Sequence, residues 1–449
     1  MAAFFAHISN RTWLRWSLVA LLLLLGANLF VNRALINSGR VNTDMTRTDQ
    51  KAYIDYAEWI AEDPNFIGAR NRMPAYPYLL SQFRDLQESD EVFFEKAKVF
   101  SIALTLAAVA IIAVVFFLSF PLHTALNLTF FSAFFVFLFR AAYVQAEVLY
   151  FLVSFLAFVA LWRLFARPAW GWAILGGVLL GLSHLTKASI LPGVLTFGVF
   201  YLADALWRGV RMRQWKPGIK RIALAVVVLG AFGLTIFPYI KNSKAIYGHY
   251  FYNVNSTFYF WCDSWEEAKD RTRAFGDRVG WPNVPPEQLP SASNYLRTHT
   301  PGEILKRIVI GAYDLNGIMI RSYGYYPLLW IYVGFLVALV VWRWRLCWRV
   351  FSHRPMPILA LLALSVGYYI LGGWYTQIIS GNRIILSLFL PFLFTLAAAT
   401  TSLGGKRILT LGSLRVNGLL LLNITVSIYL LIDIYLLSTI RILRFYGGS

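Results

Sequence analysis

The sequence predicts an all-α polytopic membrane protein, a bundle of about eleven transmembrane helices. Three observations predict it. Hydrophobic residues make up 58% of the chain and charged residues only 14%, where a soluble domain carries about 25% charged residues. Apolar runs near bilayer length recur along the 449 residues. These runs are uninterrupted rather than alternating, so they read as helices and not as barrel strands.

The candidate spans are 13–32, 99–119, 124–139, 146–162, 170–183, 188–206, 221–240, 326–342, 356–373, 384–401 and 416–437. Between 170 and 206 two short runs are split by Ser183-His184-Leu185-Thr186-Lys187, which leaves a broken or re-entrant helix open. Lys and Arg in the short loops set the orientation. Arg11 and Arg15, Arg163 and Arg167, the group from Arg208 to Arg221, the group from Arg343 to Arg354, and Lys406, Arg407 and Arg415 all fall on one side if the N-terminus is inside. Most of the formal net charge of +19 is therefore topology. Basic residues confined to short loops between spans argue against nucleic-acid binding. The first span reads as retained rather than as a signal peptide, because no small-x-small cleavage pattern follows Val31. Cys262 and Cys347 fall on opposite sides of the membrane, which predicts no intramolecular disulfide.

Three parts follow. Residues 1–240 form an N-terminal transmembrane module whose first outer loop is 33–98. Residues 241–325 form a large extracytoplasmic loop region, and 326–449 are C-terminal transmembrane helices. Within the first loop, Tyr53, Tyr56, Ala57 and Ile60 share one face at helical spacing, while Asp55, Glu58 and Glu62 point away. This predicts an amphipathic helix along the membrane surface. The 241–325 region is rich in aromatic residues, from Tyr247 to Trp265, and Trp281-Pro282-Asn283-Val284-Pro285-Pro286 predicts an ordered irregular loop or lid. The chain has no visible internal repeat. It has no nucleotide-phosphate glycine loop, no Gly-x-Gly-x-x-Gly and no His-Glu-x-x-His, so a nucleotide-borne substrate has no support.

Candidate chemistry concentrates on the outer face. Asp44 and Asp49 are acids in the first loop. Arg47, Lys51, Arg70, Arg72, Lys187, Arg321 and Arg383 are cations at the same face. Such a set supplies a base for an acceptor proton and cations for a leaving phosphate. Each member also has a structural reading. Thr48 or Asp49 caps the amphipathic helix. Lys187 and Arg383 snorkel to the interface. His184 packs between helices rather than binding a metal. The 247–265 aromatics form an interface belt. Glu147, where the fourth span begins, is costly unless paired.

Five segments carry a family pattern in order. The first is Asp49-Gln50-Lys51-Ala52-Tyr53-Ile54-Asp55-Tyr56-Ala57, and the second is Arg72-Met73-Pro74-Ala75-Tyr76-Pro77. Glu147 is the third and Leu185-Thr186-Lys187 the fourth. The last runs from Gly381-Asn382-Arg383-Ile384 to Pro391. The chain resembles the GT-C glycosyltransferases of the protein O-mannosyltransferase and lipid A aminoarabinose transferase type. Two positions depart from that pattern: Gln50 stands where the family has a second acid, and Ile384 where it has Tyr. The resemblance implies a GT-C bundle with extracytoplasmic amphipathic helices and an outer cavity. It implies an enzyme that moves a hexosyl or pentosyl group, with inversion, from a polyprenyl-phosphate-linked sugar. The acceptor is a glycan, lipid or protein. By the same resemblance, Asp49 is the catalytic base, and Arg72, Tyr76, Glu147, Lys187 and Arg383 bind substrate; Arg321, as an outer-face cation, is the further substrate-binding candidate. The site faces the periplasm or exterior from a bacterial inner membrane, among membrane lipids. Gln50 weakens a metal site between adjacent carboxylates, so a divalent cation has no clear ligand set and the cofactor stays unassigned. Two other classes remain open on the residues alone. A transporter or flippase of lipid-linked or small polar substrates would carry paired inverted repeats, which are not visible here. An assembly scaffold would tolerate loss of Asp49.

Overall fold

The computed structural model describes residues 12–66, 71–275, 285–323, 326–353, 355–378, 382–404, 408–411 and 414–441. The Trp281-to-Val284 part of the expected lid lies outside them, as does Arg70.

The first helices are α1 (Thr12–Arg40), α2 (Gln50–Glu62), α3 (Ala75–Ser81), α4 (Asp90–Ser119) and α5 (Leu122–Ser132). A π-helical turn over Ala133–Phe137 continues α5. Then come α6 (Glu147–Ala166), α7 (Trp170–Thr186), α8 (Leu191–Val210) and α9 (Trp215–Tyr247). Short helices occupy 254–275 and 286–298, before α10 (Pro301–Tyr323), α11 (Tyr326–Trp342), α12 (Trp344–His353) and α13 (Pro355–Thr376). The chain closes with α14 (Asn382–Leu386), α15 (Phe389–Gly404), an antiparallel hairpin of Ile408–Leu411 with Leu414–Asn417, and α16 (Gly418–Leu436).

Among the described residues, eight helices are long and apolar enough to cross a membrane. A ninth counts if Leu328–Trp342 and Trp344–His353, bent by 93°, are one span. The two remaining expected spans fall on shorter apolar helices, Leu122–Phe137 and Trp170–Thr186. The protein is thus an all-α integral membrane protein. The hairpin was not expected: residues 416 and 417 begin no helix but complete a strand. The break foreseen near Lys187 is real. The Lys187 backbone is extended (φ −158°, ψ 126°), and a 3₁₀ turn separates α7 from α8.

The bundle is held as membrane helices are, by close backbone approach and polar clamps more than by a hydrophobic gradient. Gly177 and Gly181 on α7 form a Gly-x-x-x-Gly pair that lies against α9. A Cβ at Gly181 would sit 2.5 Å from the Thr235 side chain, and one at Gly177 would strike the Val228 carbonyl. On α5, the Asn127 amide donates to the Asn423 carbonyl at 2.9 Å and accepts from the Ser427 hydroxyl at 2.8 Å. Asp204 on α8 is buried between Arg208 and Arg221, both at 2.9 Å. Leu24, Leu118 and Leu234 are 69%, 79% and 78% exposed, as lipid-facing residues should be.

Helix α2 carries its expected face: Tyr53, Tyr56, Ala57 and Ile60 are buried. That face lies against protein. Tyr53, Ile54 and Ala57 pack with Tyr76 and Leu80 of α3, Phe93, Phe94 and Ala97 of α4, and Val144 and Ala146. Expectation and structure differ in what covers the apolar stripe.

Candidate active site

The turn before α2 is built to aim one side chain. Thr48 has φ +64°, a conformation that β-branched residues rarely adopt. Its hydroxyl accepts a hydrogen bond from the Gln145 amide at 2.8 Å, just ahead of α6. Asp49 follows at the N-cap position of α2, yet its side chain makes no capping bond. It turns instead to Arg72, with Asp49 Oδ1 2.7 Å from a guanidinium nitrogen. The capping reading of Asp49 therefore fails. Asp44 is local: its carboxylate accepts from the Thr46 amide (2.8 Å) and hydroxyl (2.7 Å). Those two bonds, hydroxyl first, hold its pKa below the usual carboxylate value.

Gln50 explains its own departure from the family pattern. It is fully buried. Its Oε1 accepts from the Asn42 side chain (2.8 Å) and the Val144 amide (3.0 Å), while its Nε2 donates to Asn42 Oδ1 (2.8 Å). This double bond between amides needs a donor and an acceptor on one group, which a carboxylate cannot provide.

A second pair mirrors the first. Glu147 opens α6 and is 2% exposed, where the helix N-terminus favours its charge. Its Oε1 accepts from Lys187 Nζ at 2.9 Å, from the break between α7 and α8. The span-end acid is paired, as its burial requires.

One cavity of about 790 Å³ joins the two pairs. Asp49, Tyr53, Arg72, Glu147 and Lys187 line it. The 253–273 segment lines it too, with Asn253, Asn255, Ser256, Tyr259, Phe260, Trp261, Trp265 and Arg273. Tyr375 and Ile378 at the end of α13, and Ile384 of α14, complete the wall. The aromatic segment is thus part of a site rather than only a belt. A nearly apolar groove leads away between α6, α8 and α13, lined by Phe158, Leu161, Phe197, Leu361 and Leu364. Ile190 and Gly193 border the groove beside Leu191 and Pro192 of the cavity.

The cavity's far wall is pinned by a residue the sequence reading passed over. Arg307 on α10 is nearly buried. It donates to the Cys262 carbonyl (2.8 Å), Asp263 (3.1 Å) and the Tyr295 hydroxyl (2.9 Å), and its guanidinium lies 4.1 Å over the Trp374 ring. Trp374 donates to the Phe260 carbonyl and Tyr375 to that of Asn255, at 2.7 and 2.8 Å. The scaffold starts at α9, where Gly248 (φ +75°) ends the helix in the left-handed conformation that glycine allows. Tyr247 then stacks on Tyr252 at 4.2 Å.

Of the other expected site residues, Tyr76 is one layer back. It is fully buried, its hydroxyl is 2.7 Å from that of Ser101, and its ring meets Tyr53 edge to face at 5.5 Å. The lining of this cavity does not include it. Lys51 binds Asp55 and Asp90 at 2.6 and 2.5 Å. Burial opposes its charge, but those two carboxylates raise its pKa overall. Arg321 and Arg383 lie on α10 and α14, and their side chains are outside the described part of the structure. His184 packs among Phe232, Tyr239 and Phe251, with ring centroids 5.9–6.2 Å away. Among the described residues, no group of three or more His, Cys, Asp or Glu side chains could hold a metal. Asp49 and Glu147 each face a cation instead. Cys262 and Cys347 are both free thiols.

No protein-family model matches the chain, and no curated protein sequence matches it. Solved structures do. The archaeal oligosaccharyltransferase AglB from Archaeoglobus fulgidus, in complex with an inhibitory peptide and a dolichol-phosphate, superposes with a TM-score of 0.52 and 12% identity. The match covers 98% of this chain and 57% of that one. The Archaeoglobus fulgidus oligosaccharyltransferase complexed with Zn and sulfate matches at 0.51 and 13%, over 95% and 53%. Tethered to an acceptor peptide with the NVT sequon, the Archaeoglobus fulgidus enzyme matches at 0.53 and 14%, over 98% and 57%. The chain spans a little over half the length of these structures. At such identities the likeness speaks to architecture: the chain shares the GT-C fold of the archaeal oligosaccharyltransferase.

Proposed function

We propose that the protein is an integral-membrane glycosyltransferase that moves a sugar from a polyprenyl-phosphate donor to an acceptor in the 790 Å³ cavity. One observation carries this reading. Asp49, Arg72, Glu147 and Lys187 come from four separate segments and line one cavity, as two acid–cation pairs. The solved neighbours, one of them bound to dolichol-phosphate and another tethered to an acceptor peptide, support it through the fold.

The donor phosphate lies at Arg72 and Lys187, where charge-assisted bonds stabilise it as it leaves. The isoprenoid tail runs down the groove along Phe158, Leu161 and Leu361. An acceptor hydroxyl or amine attacks the anomeric carbon from the opposite face. The bond between the sugar and the phosphate oxygen breaks with its electron pair going to the phosphate, and the acceptor proton goes to Asp49. The outcome is inversion. The Asp49–Arg72 pair adds a coupling. A phosphate that takes the Arg72 guanidinium loosens its hold on Asp49, so the carboxylate is freed as a base when a donor is present. Tyr53 supports Arg72, whose guanidinium carbon lies 5.5 Å from the ring centre, and Tyr76 backs Tyr53. The active face is the extracytoplasmic one, by the distribution of Lys and Arg.

The test is consumption of a radiolabelled polyprenyl-phosphate sugar by the purified protein in liposomes, against the Asp49→Asn variant. Release of polyprenyl phosphate by the parent and not by the variant supports the reading. Movement of intact donor across the bilayer without cleavage would replace it with a flippase.

A further inference from the structure

One stretch of the cavity lining, from Asn253 to Arg273, is chemically one-sided. Asn253 is 8% exposed, and its side-chain NH₂ reaches only the Met73 sulfur, at 4.0 Å. The Asn255 side chain makes no hydrogen bond among the described residues, and its backbone groups are used by Asn253 and Tyr375. Arg273 makes no ion pair among them either. Its guanidinium lies over the Trp265 ring, 5.1 Å from the centroid. Trp265 is half-buried and meets Tyr259 edge to face at 5.7 Å. All of these residues line the cavity.

Arg273 and the Asn253 NH₂ are donors, Asn255 adds an uncommitted amide, and beside them lies an indole. Asn253 reaches only a sulfur, and Asn255 and Arg273 are partly or largely open to the cavity, so these groups have donor capacity to spare and the fitting ligand is rich in acceptor oxygens. A lipid chain offers none. A cationic acceptor would find no free carboxylate on this wall, because the cavity's two acids are taken by Arg72 and Lys187. A sugar ring has the matching surfaces: a C–H face to lie on indole, and hydroxyl and ring oxygens along its edge to accept from amide and guanidinium.

We propose that the Asn253–Arg273 wall is the acceptor subsite and that it takes a sugar ring, so the acceptor is a glycan. This rests on the glycosyltransferase reading for its role, but not for its chemistry. The subsite shares its cavity with Asp49, which lets an acceptor hydroxyl reach the base while the donor phosphate stays at Arg72 and Lys187.

Binding to the full chain in lipid nanodiscs tests it, by saturation-transfer NMR with a panel of methyl glycosides and a short neutral peptide as probes. Glycosides bind, the peptide does not, and Trp265→Ala weakens glycoside binding about tenfold. Arg273→Gln weakens it comparably, and Trp265→Phe, which keeps an aromatic face, retains most of it. Asp49→Asn leaves it intact. Glycoside binding with this pattern supports the subsite whatever Asp49→Asn does to turnover, so the two readings fail separately. Binding of the peptide alone, no glycoside binding at all, or glycoside binding indifferent to both Trp265 and Arg273 overturns it.

Discussion

Asp49 Oδ1 and the Arg72 guanidinium lie 2.7 Å apart, and they reach each other from the two ends of the segment that carries α2. The turn at Thr48 aims the acid, and the Arg72-Met73-Pro74 entry into α3 aims the cation. Nothing comparable holds Asp44, whose carboxylate is spent on its own Thr46.

That contrast makes Asp49 the base in the proposed mechanism. Asp49→Asn keeps the shape and removes the proton acceptor, so turnover of a polyprenyl-phosphate sugar falls by ~10²–10⁴-fold. Asp44→Asn breaks only a local turn and costs much less. Rates measured side by side in the same liposomes check this. A dead Asp44→Asn with an active Asp49→Asn would move the base five residues upstream.

In the proposed mechanism, Arg72 and Lys187 divide the donor phosphate between them. Each charge-assisted bond contributes about 1.5–3 kcal/mol, so Arg72→Ala or Lys187→Ala weakens donor use tenfold or more. The two losses differ in kind. Lys187→Ala also strands Glu147, 2% exposed, without its cation, and destabilises the protein. Arg72→Ala leaves Asp49, which is one-third exposed, to water. Donor kinetics and thermal unfolding of both variants separate binding from stability.

Much of this site was legible because the chemistry-bearing residues sit at span ends, where composition changes abruptly. Glu147 and Lys187 stood out as charges at the edge of apolar runs, and the structure pairs them. The α2 stripe from Tyr53 to Ile60 was readable from period alone. What covers it was not, because α3 and α4 reach it through tertiary contacts that no local pattern encodes. Arg273 and Arg307 were invisible for the same reason: each is one cation in its own segment until Trp265 packs under Arg273 and the Cys262 carbonyl and Trp374 of α13 meet Arg307. The Gly177/Gly181 pair was a signal in plain view, at the spacing that allows close helix approach.

Gln50 gives a direct test of that folded context. Gln50→Glu restores the family's second acid, yet it discards the Nε2 donor bonded to Asn42 and buries a charge beside the carbonyls of Asp44 and Arg47. A buried group left without its partner costs about 1–3 kcal/mol, and more when charged. The expected result is a lower unfolding temperature and reduced turnover that added divalent cations do not rescue. A fully active, metal-dependent Gln50→Glu enzyme would show that the amide is dispensable.

The thiols report topology without disturbing the site. Cys262 is fully buried, and burial pushes its pKa up to about 12 from 9.0. The folded state therefore holds the protonated form, and its contribution to stability is lost as pH rises from 9 towards 12. At neutral pH a membrane-impermeant maleimide should spare Cys262. In a Cys347→Ser background, cysteines at the exposed positions Gln87 and Ser293 should both react from outside the cell, and Cys347 in the parent should not. Protection of either new cysteine would reverse the orientation drawn from the basic loops.

Arg307 is the last and most consequential of the positioning residues. Its side chain is 6% exposed and joins Cys262, Asp263, Tyr295 and Trp374, so it fastens α10, α13 and the cavity's far wall at one point. Asp263 is half exposed, so the ion pair itself adds little. The bonds to the buried carbonyl and phenol and the indole contact carry the effect. Arg307→Lys keeps the charge but loses the planar fork that serves three acceptors at once. Both Arg307→Lys and Arg307→Ala should raise the acceptor KM by tenfold or more, because the Asn253–Arg273 wall loses its backing. Donor KM should change little, since none of the Arg307 contacts is with Arg72 or Lys187. Limited proteolysis should cut the 253–298 segment faster in both variants while α6 to α9 stay protected. Equal losses for donor and acceptor would mean that Arg307 supports the whole bundle rather than one wall.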